Sequence, residues 1–117
     1  MDEQAETYPS FWHNYLRRHA NAGTRAMHFV GTFVALVGIA AGIINLNVWL
    51  ALTGIAVGYA FAWVSHILIE HNRPCTFGHP GWSLVSELRM FRLWLGGELP
   101  QELRKAGVPD GKPERRA

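Results

Sequence analysis

Three of the six histidines in this chain have a spacing that could bring them together. His28 lies 18 residues before Leu46, and His66 lies 20 residues after it. In two antiparallel helices joined at Leu46, the two imidazoles would lie about 27 and 30 Å from the turn, which is nearly the same depth. His19 comes before a short polar segment that could fold it back over His28. Imidazoles that converge in this way predict a metal site.

An acidic residue, Glu70, follows His66 by four positions. On an α-helix the two side chains would share one face, about 40° apart. A carboxylate together with imidazoles is a ligand set that suits non-haem iron. His19, His28, His66 and Glu70 could therefore converge as ligands of non-haem iron. Alternatively, His28 and His66 could be core histidines bonded to a neighbour, and Glu70 could be an ordinary carboxylate at a helix end.

The loop after this segment contains two further candidates. His79 lies in a Gly-His-Pro sequence beside the predicted site and is a candidate metal ligand. Arg73 could either anchor a lipid headgroup or bind a carboxylate through two hydrogen bonds. His13 and His71 are expected in solvent, because helical spacing turns both away from the site.

The element that must position these residues is a run of 41 residues, from Phe29 to Ile69, without Asp, Glu, Lys or Arg. A chain of 117 residues has no core large enough to bury such a run. Since about 20 apolar residues cross a bilayer once, the run predicts two transmembrane helices, 25–44 and 48–69, joined by a polar turn at Asn45-Leu46-Asn47. A buried hairpin of a soluble protein is the less favoured alternative, because both helices are apolar on all faces.

Two amphipathic segments flank the predicted hairpin. In 10–20, aromatic residues recur at helical spacing on one face, and 82–95 has an apolar stripe beside charged residues that make it unsuited to spanning. The predicted fold is therefore an all-α membrane protein, a two-helix transmembrane hairpin flanked by interfacial helices. It forms one domain, 1–106, followed by a Pro-, Gly- and charge-rich tail, 107–117, that is expected to be disordered.

Glycines recur four residues apart in both predicted transmembrane helices. Gly38 and Gly54 are each eight residues from Leu46, so they would face each other at equal depth and let the two backbones approach closely. The same glycine faces could instead join two copies in a homodimer, through Gly38 with Gly42 and Gly54 with Gly58.

Arginines flank the hairpin, whereas its turn carries no charge. Arg17, Arg18 and Arg25 precede it and Arg73 follows it, so the positive-inside rule places both termini in the cytoplasm, and the expected location is a bacterial inner membrane. The chain is basic, with 11 Lys and Arg against 9 Asp and Glu. This flanking pattern assigns the basic balance to a membrane and argues against nucleic acid as a partner.

Two segments on either side of the hairpin carry a family resemblance: YLRRHANAGTRAMHFVGT, 15–32, and FAWVSHILIEHNRPCTFGHPGWS, 61–83. With the apolar hairpin they resemble the 2-hydroxy-fatty-acid dioxygenase-like membrane family, over about 8–97. The resemblance implies Fe(II)-dependent α-oxidation, in which a 2-hydroxy fatty acid reacts with O2 and loses its first carbon. The implied partners are a fatty acid or other lipid substrate, O2 and the membrane.

The resemblance also implies roles for individual residues. The histidines that the family needs for iron match His19, His28 and His66, and the motif after them matches Glu70, Asn72, Arg73 and Pro74. His19, His28, His66 and Glu70 are thereby expected to bind Fe(II) and to be catalytic. Asn72 and Arg73 are expected to bind the substrate. His79 matches a histidine that is common in short, bacterial-type members.

Two other functions fit the same residues. His28 and His66, at similar depth on adjacent helices, could be the axial ligands of a haem. The chain could also be a small membrane adaptor without catalytic activity, whose histidines only pack.

Overall fold

The computed structural model describes residues 7–73 and 78–108, and all regular elements within them are helical, which confirms the all-α class. Residues 109–117 of the predicted tail lie outside the described residues, as does Pro74. The elements in chain order are α1 (Tyr8–Arg17), α2 (Ala22–Ile44), α3 (Val48–Ser65), a π-helical turn (His66–Glu70) that continues α3, α4 (Pro80–Leu95) and α5 (Leu99–Lys105).

Side-chain caps explain why α1 and α2 begin earlier than the sequence predicts. The hydroxyl of Thr7 accepts a hydrogen bond from the backbone N–H of Ser10, so α1 begins at position 8 instead of 10. The side chain of Asn21 accepts from the N–H of Gly23 at 2.7 Å, so α2 begins at position 22 instead of 25. The polar segment between the two helices is therefore short, and it contains His19.

The two long helices approach each other at their glycines. A Cβ atom added to Gly38 would lie 2.8 Å from the Cα of Gly54, and one added to Gly58 would lie 2.7 Å from the carbonyl oxygen of Gly31. The predicted equal depth of Gly38 and Gly54 is thus confirmed. The homodimer predicted through Gly38, Gly42, Gly54 and Gly58 is not supported, because these faces are filled within one chain.

Both long helices are long and apolar enough to cross a membrane, at 23 residues for 22–44 and 23 for 48–70. Their large apolar side chains face outward; Phe33 is 61% exposed, Ile44 79% and Trp49 72%. A helix at the core of a soluble protein would bury such residues, and large exposed apolar surfaces are typical of membrane or partner contacts. We call α2, α3 and the π-helical turn the hairpin.

The other three helices, α1, α4 and α5, form what we call the cap, and they contribute most of the hydrophobic core. The aromatic face of α1 is buried there, with Trp12 and Tyr15 only 2% and 1% exposed. Protein therefore covers the aromatic face of the helix that the sequence predicts over 10–20. The reason is α5, which the sequence analysis missed: the indole N–H of Trp12 donates to Glu102 of α5 at 2.9 Å.

The tail prediction also needs a correction at its start. Val108 is fully buried, and its N–H donates to the carbonyl of Leu103 at 2.7 Å. The ordered cap thus extends two residues beyond the predicted domain end at 106.

The exposed face of α4 is its predicted apolar stripe. Leu84, Leu88 and Leu95 are 53%, 46% and 66% exposed, whereas Ser86 and Met90 on the other face are fully buried. The helix therefore packs on the cap through one face and leaves an apolar face open.

Candidate metal site

The three histidines that the sequence brings to one depth form one buried group. His19 lies in the segment after α1, His28 lies on α2, and His66 is the first residue of the π-helical turn. They are 0%, 3% and 1% exposed, and one ring nitrogen from each lies within 4.8 Å of the others. The predicted convergence of these three residues is therefore confirmed.

Each imidazole has its Nδ1 atom hydrogen-bonded to an oxygen atom. These oxygens come from three different places in the chain: a backbone carbonyl, a carboxylate and a side-chain amide. The pairs are His19 with the carbonyl of Tyr15 at 2.6 Å, His28 with Glu87 at 2.7 Å and His66 with Asn72 at 2.6 Å.

These partners determine which ring nitrogen carries the hydrogen. The carbonyl oxygen of Tyr15 can only accept, so Nδ1 of His19 must donate. Asn72 uses its amide nitrogen to donate to the carbonyl of Arg18 at 3.2 Å, which leaves its oxygen to accept from Nδ1 of His66. In the neutral imidazoles, Nε2 then carries a lone pair that can bind a metal. A histidine that binds a metal usually donates the hydrogen of its other ring nitrogen to an oxygen atom, as these histidines do.

The described protein groups do not satisfy the hydrogen-bonding capacity of the three Nε2 atoms. Those of His19 and His66 lie 3.0 Å apart, and that of His28 has no hydrogen-bond partner among the described residues. Two facing lone pairs repel each other, and a buried polar atom without a partner is unfavourable. A proton does not resolve the conflict readily, because burial, with the charges of His28 and His66, lowers the pKa of His19 well below its ordinary value. A metal ion bound by the three Nε2 atoms would satisfy all of them.

Glu87 of α4 connects the cap to the hairpin at this site. Its carboxylate accepts hydrogen bonds from Tyr15 at 3.0 Å, His28 at 2.7 Å and Thr32 at 2.9 Å. Burial acts to raise the pKa of Glu87, but the hydrogen bond and charge of His28, with the bonds from Thr32 and Tyr15, outweigh it, so that the net pKa is lowered. The carboxylate is thus held ionised beside a candidate ligand.

Sequence analysis missed Glu87 as a site residue. Its partner His28 is 59 positions away in the chain, and no local motif surrounds it. Glu87 is one of several charged residues on an amphipathic helix, and the sequence analysis used these charges only to exclude a spanning segment.

Glu70 does not join the histidines in the structure. Its carboxylate accepts from the backbone N–H of Asn21 at 2.7 Å, one turn beyond His66. Arg25 binds the same segment, since its guanidinium donates to the carbonyls of His19 at 2.6 Å and Ala20 at 3.0 Å. Both charged groups therefore hold the segment that carries His19.

The other predicted site residues also lie outside the histidine group. Asn72 contacts His66, as described above, and does not line the cavity next to the site. Arg73 is exposed, and its backbone carbonyl accepts from Arg18. The ring of His79 stacks on Trp82, with centroids 4.8 Å apart, and meets Phe11 edge-on. The structure thus gathers three of the five predicted metal ligands.

A cavity of about 380 Å³ opens beside the three histidines. Its polar lining includes the three histidines, Glu87 and several hydroxyl groups, and most of the remaining lining is apolar. The residues that line it are Tyr15, His19, His28, Gly31, Thr32, Ala35, Leu36, Ile39, Ile55, Gly58, Tyr59, Ala62, Trp63, His66, Ser83, Leu84, Glu87 and Leu88.

This geometry does not favour haem. The ring of His19 lies against both other rings, with centroids 4.4 Å from His28 and 4.5 Å from His66. A planar macrocycle between His28 and His66 would have to occupy the space that His19 fills. Three converging imidazoles instead suit a single small metal ion.

The family model described as 2-hydroxy-palmitic acid dioxygenase Mpo1-like matches residues 5–99. This range includes the three histidines, the whole hairpin and α4. Comparison with curated proteins and with solved structures finds no match. The matched range confirms the resemblance carried by the two histidine-containing segments.

Proposed function

The chain belongs to the 2-hydroxy-palmitic acid dioxygenase Mpo1-like family, and from this premise we propose that it is an Fe(II)-dependent dioxygenase of 2-hydroxy fatty acids that acts at a membrane interface. The observation that carries the proposal is the group of three buried histidines, whose Nε2 atoms face one another beside an apolar cavity. A lipid with a polar end suits this site, because its polar head could lie at the histidines and its tail in the apolar cavity.

The proposed reaction breaks the bond between carbons 1 and 2 of the substrate. O2 accepts four electrons, carbon 2 becomes the carboxyl group of an acid one carbon shorter, and carbon 1 leaves as carbon dioxide together with one water molecule. These products balance a 2-hydroxy acid and one O2 without another reductant. The proposal therefore includes no redox partner.

The chain contributes the ligands and their orientation. Fe(II), when bound, supplies the one-electron chemistry that O2 requires, and imidazole is a suitable ligand for it. His19, His28 and His66 are the proposed ligands, and their burial keeps bulk water away. Asn72 and Glu87 are proposed as positioning residues, because each fixes the Nδ1 hydrogen of one ligand.

The substrate carboxylate has few other partners in the cavity. No lysine or arginine among the described residues lines it, and its neutral polar lining groups include the hydroxyls of Tyr15, Thr32 and Ser83. We propose that a bound ion would supply the positive charge that the carboxylate needs, and that the hydroxyl of Ser83 donates a hydrogen bond to the carboxylate. Arg73 is exposed and does not belong to this lining. Its role in binding the substrate carboxylate stays a prediction.

The membrane placement rests on the exposed apolar surfaces. The hairpin exposes large apolar side chains along both helices, and the exposed stripe of α4 adds a third apolar face. We propose that the hairpin spans the membrane with both termini in the cytoplasm, in a bacterial inner membrane. His28 and His66, near the two open ends of the hairpin, would then lie at the depth of fatty acid headgroups.

The proposal is tested by iron content and product analysis of the purified protein. We expect the wild-type chain to bind Fe(II) in lipid nanodiscs and to convert 2-hydroxypalmitate and O2 into pentadecanoate. His28→Ala and His66→Ala should lose both the iron and the product, whereas His13→Ala, outside the histidine group, should keep both. Wild-type protein that binds iron but makes no shortened acid would refute the reaction, and a haem absorption band would support the axial-ligand alternative.

A further inference from the structure

The cavity beside the histidines is long and follows the hairpin. On α2 its lining extends from His28 to Ile39, and on α3 it extends from His66 back to Ile55. The two end residues of each stretch are eleven positions apart, or about 16 Å at the rise of a helix. Because the helices are antiparallel, Ile39 and Ile55 are the lining residues farthest from the histidines on their respective helices.

The chemistry of the lining changes along this length. The histidine end has three imidazoles, hydroxyls and a carboxylate, and the Nε2 of His28, which is 3% exposed, finds no partner among the described residues. Farther along, the lining residues Gly31, Ala35, Gly58 and Ala62 have small side chains or none, and the two helices touch each other at Gly31 and Gly58. The cavity thus suits a ligand with one polar end and a slender apolar tail.

Two measures of size agree on the length of that tail. A cavity of about 150 Å³ accommodates benzene, so at about 25 Å³ for each carbon the 380 Å³ here hold about 15 carbons. A zigzag carbon chain advances by about 1.25 Å for each bond, so about 16 Å corresponds to about 13 bonds. With carbon 2 at the histidines, a chain of about 15 carbons would reach the two isoleucines.

The side of the cavity is open where the hairpin meets α4. Its edge includes Leu36 of α2, Tyr59 and Trp63 of α3 and Leu88 of α4, which are 39% to 46% exposed. These exposed side chains lie on the apolar surface of the hairpin. An acyl chain could therefore enter sideways from lipid without passing through water.

We propose that this cavity holds the acyl chain of the substrate inside the protein, and that Ile39 and Ile55 at its far end limit the chain length that is accepted. The proposal rests on the proposed function, since it assigns a place to that substrate. It differs from a model in which only the headgroup is bound and the tail stays in the bilayer.

The first test is a series of 2-hydroxy acids of increasing length. In Ile39→Phe and Ile55→Phe the larger side chain should shorten the cavity, so that the ratio of kcat/KM for 2-hydroxypalmitate to that for 2-hydroxylaurate falls at least about 10-fold. Val37→Phe is the matched control, because Val37 is on the same helix, 50% exposed and outside the lining. Ratios unchanged in both isoleucine variants, with activity intact, would overturn the proposal.

The second test separates this inference from the proposed function, because it needs no turnover. In this test, palmitate and laurate compete with a fluorescent polyene fatty acid for binding to the protein in nanodiscs. The apparent affinities of each variant are compared with those of the wild type, so that partitioning of the fatty acids into the lipid cancels. We expect Ile39→Phe to weaken the binding of palmitate more than the binding of laurate. If the wild type makes no shortened acid but this shift appears, the reaction is wrong and the cavity assignment stands. If turnover occurs and no variant shifts either ratio, the tail lies in the bilayer and the cavity assignment is wrong.

Discussion

In the cap, Trp12 and Leu16 are 2% and 0% exposed, whereas in the hairpin Phe33, Ile44 and Trp49 are 61% to 79% exposed. The cap is held together by buried large side chains. The hairpin is held together by glycines, at which the two backbones come into contact.

The difference between the two regions matches two different solvents. In water, burying apolar side chains is the main force that stabilises a fold, and the cap follows this rule. In lipid, an apolar side chain gains little by moving from lipid into protein, so close packing of small residues and polar contacts must hold the helices together. The hairpin follows this second rule, and the candidate site lies where the two regions meet.

The comparison predicts that the same substitution has a large effect on stability in the cap and a small one in the hairpin. Leu16→Ala should destabilise the protein by about 2–5 kcal/mol, because it leaves a cavity in the cap core. Leu52→Ala, at a hairpin residue that is 48% exposed, should change the free energy of unfolding by less than about 0.5 kcal/mol. Thermal unfolding and hydrogen exchange in nanodiscs measure both, and equal losses at the two positions would refute the comparison.

Much of the hairpin could be predicted because its geometry follows from counting. Positions equally far from Leu46 reach the same depth, so the meeting of Gly38 with Gly54 and of His28 with His66 follows from a single turn and a constant helical rise. The short segment before α2 also made the approach of His19 predictable. In such a hairpin, the number of residues between a position and the turn predicts which distant residues come into contact.

The contacts of the cap could not be predicted in this way. The amphipathic pattern of α1 shows that one face avoids water, but it does not tell whether lipid or protein covers that face, and α5 is too short to stand out. The contacts of Glu87 and Glu70 could not be predicted for a related reason. The same carboxylate can bind a metal, an imidazole or a backbone N–H, and only the packing of distant segments decides which one it meets.

The contact between the two regions is tested most directly at Glu87. Glu87→Gln keeps an oxygen that can accept from Nδ1 of His28 but removes the negative charge, so we expect metal affinity to fall about 10–100-fold with little change in thermal stability. A chelator competition measures the affinity, and Glu98→Gln, on the exposed surface, is the control. Lower stability with unchanged metal affinity would mean that Glu87 only fastens the cap to the hairpin.

The smallest expected effect concerns pH and belongs to the cap alone. The hydrogen bond from Trp12, with the bond and charge of Lys105, lowers the pKa of Glu102 below its ordinary value of 4.5. The unfolded chain therefore binds this proton more readily than the folded chain, so the stabilisation is complete above pH 4.5 and is lost as the pH falls through the lower pKa of the folded state. Glu102→Gln keeps an acceptor for the indole but does not titrate. Thermal unfolding of the cap should thus weaken less on acidification in this variant than in wild type, and equal weakening in both would show that the contact between α1 and α5 does not depend on the charge of Glu102.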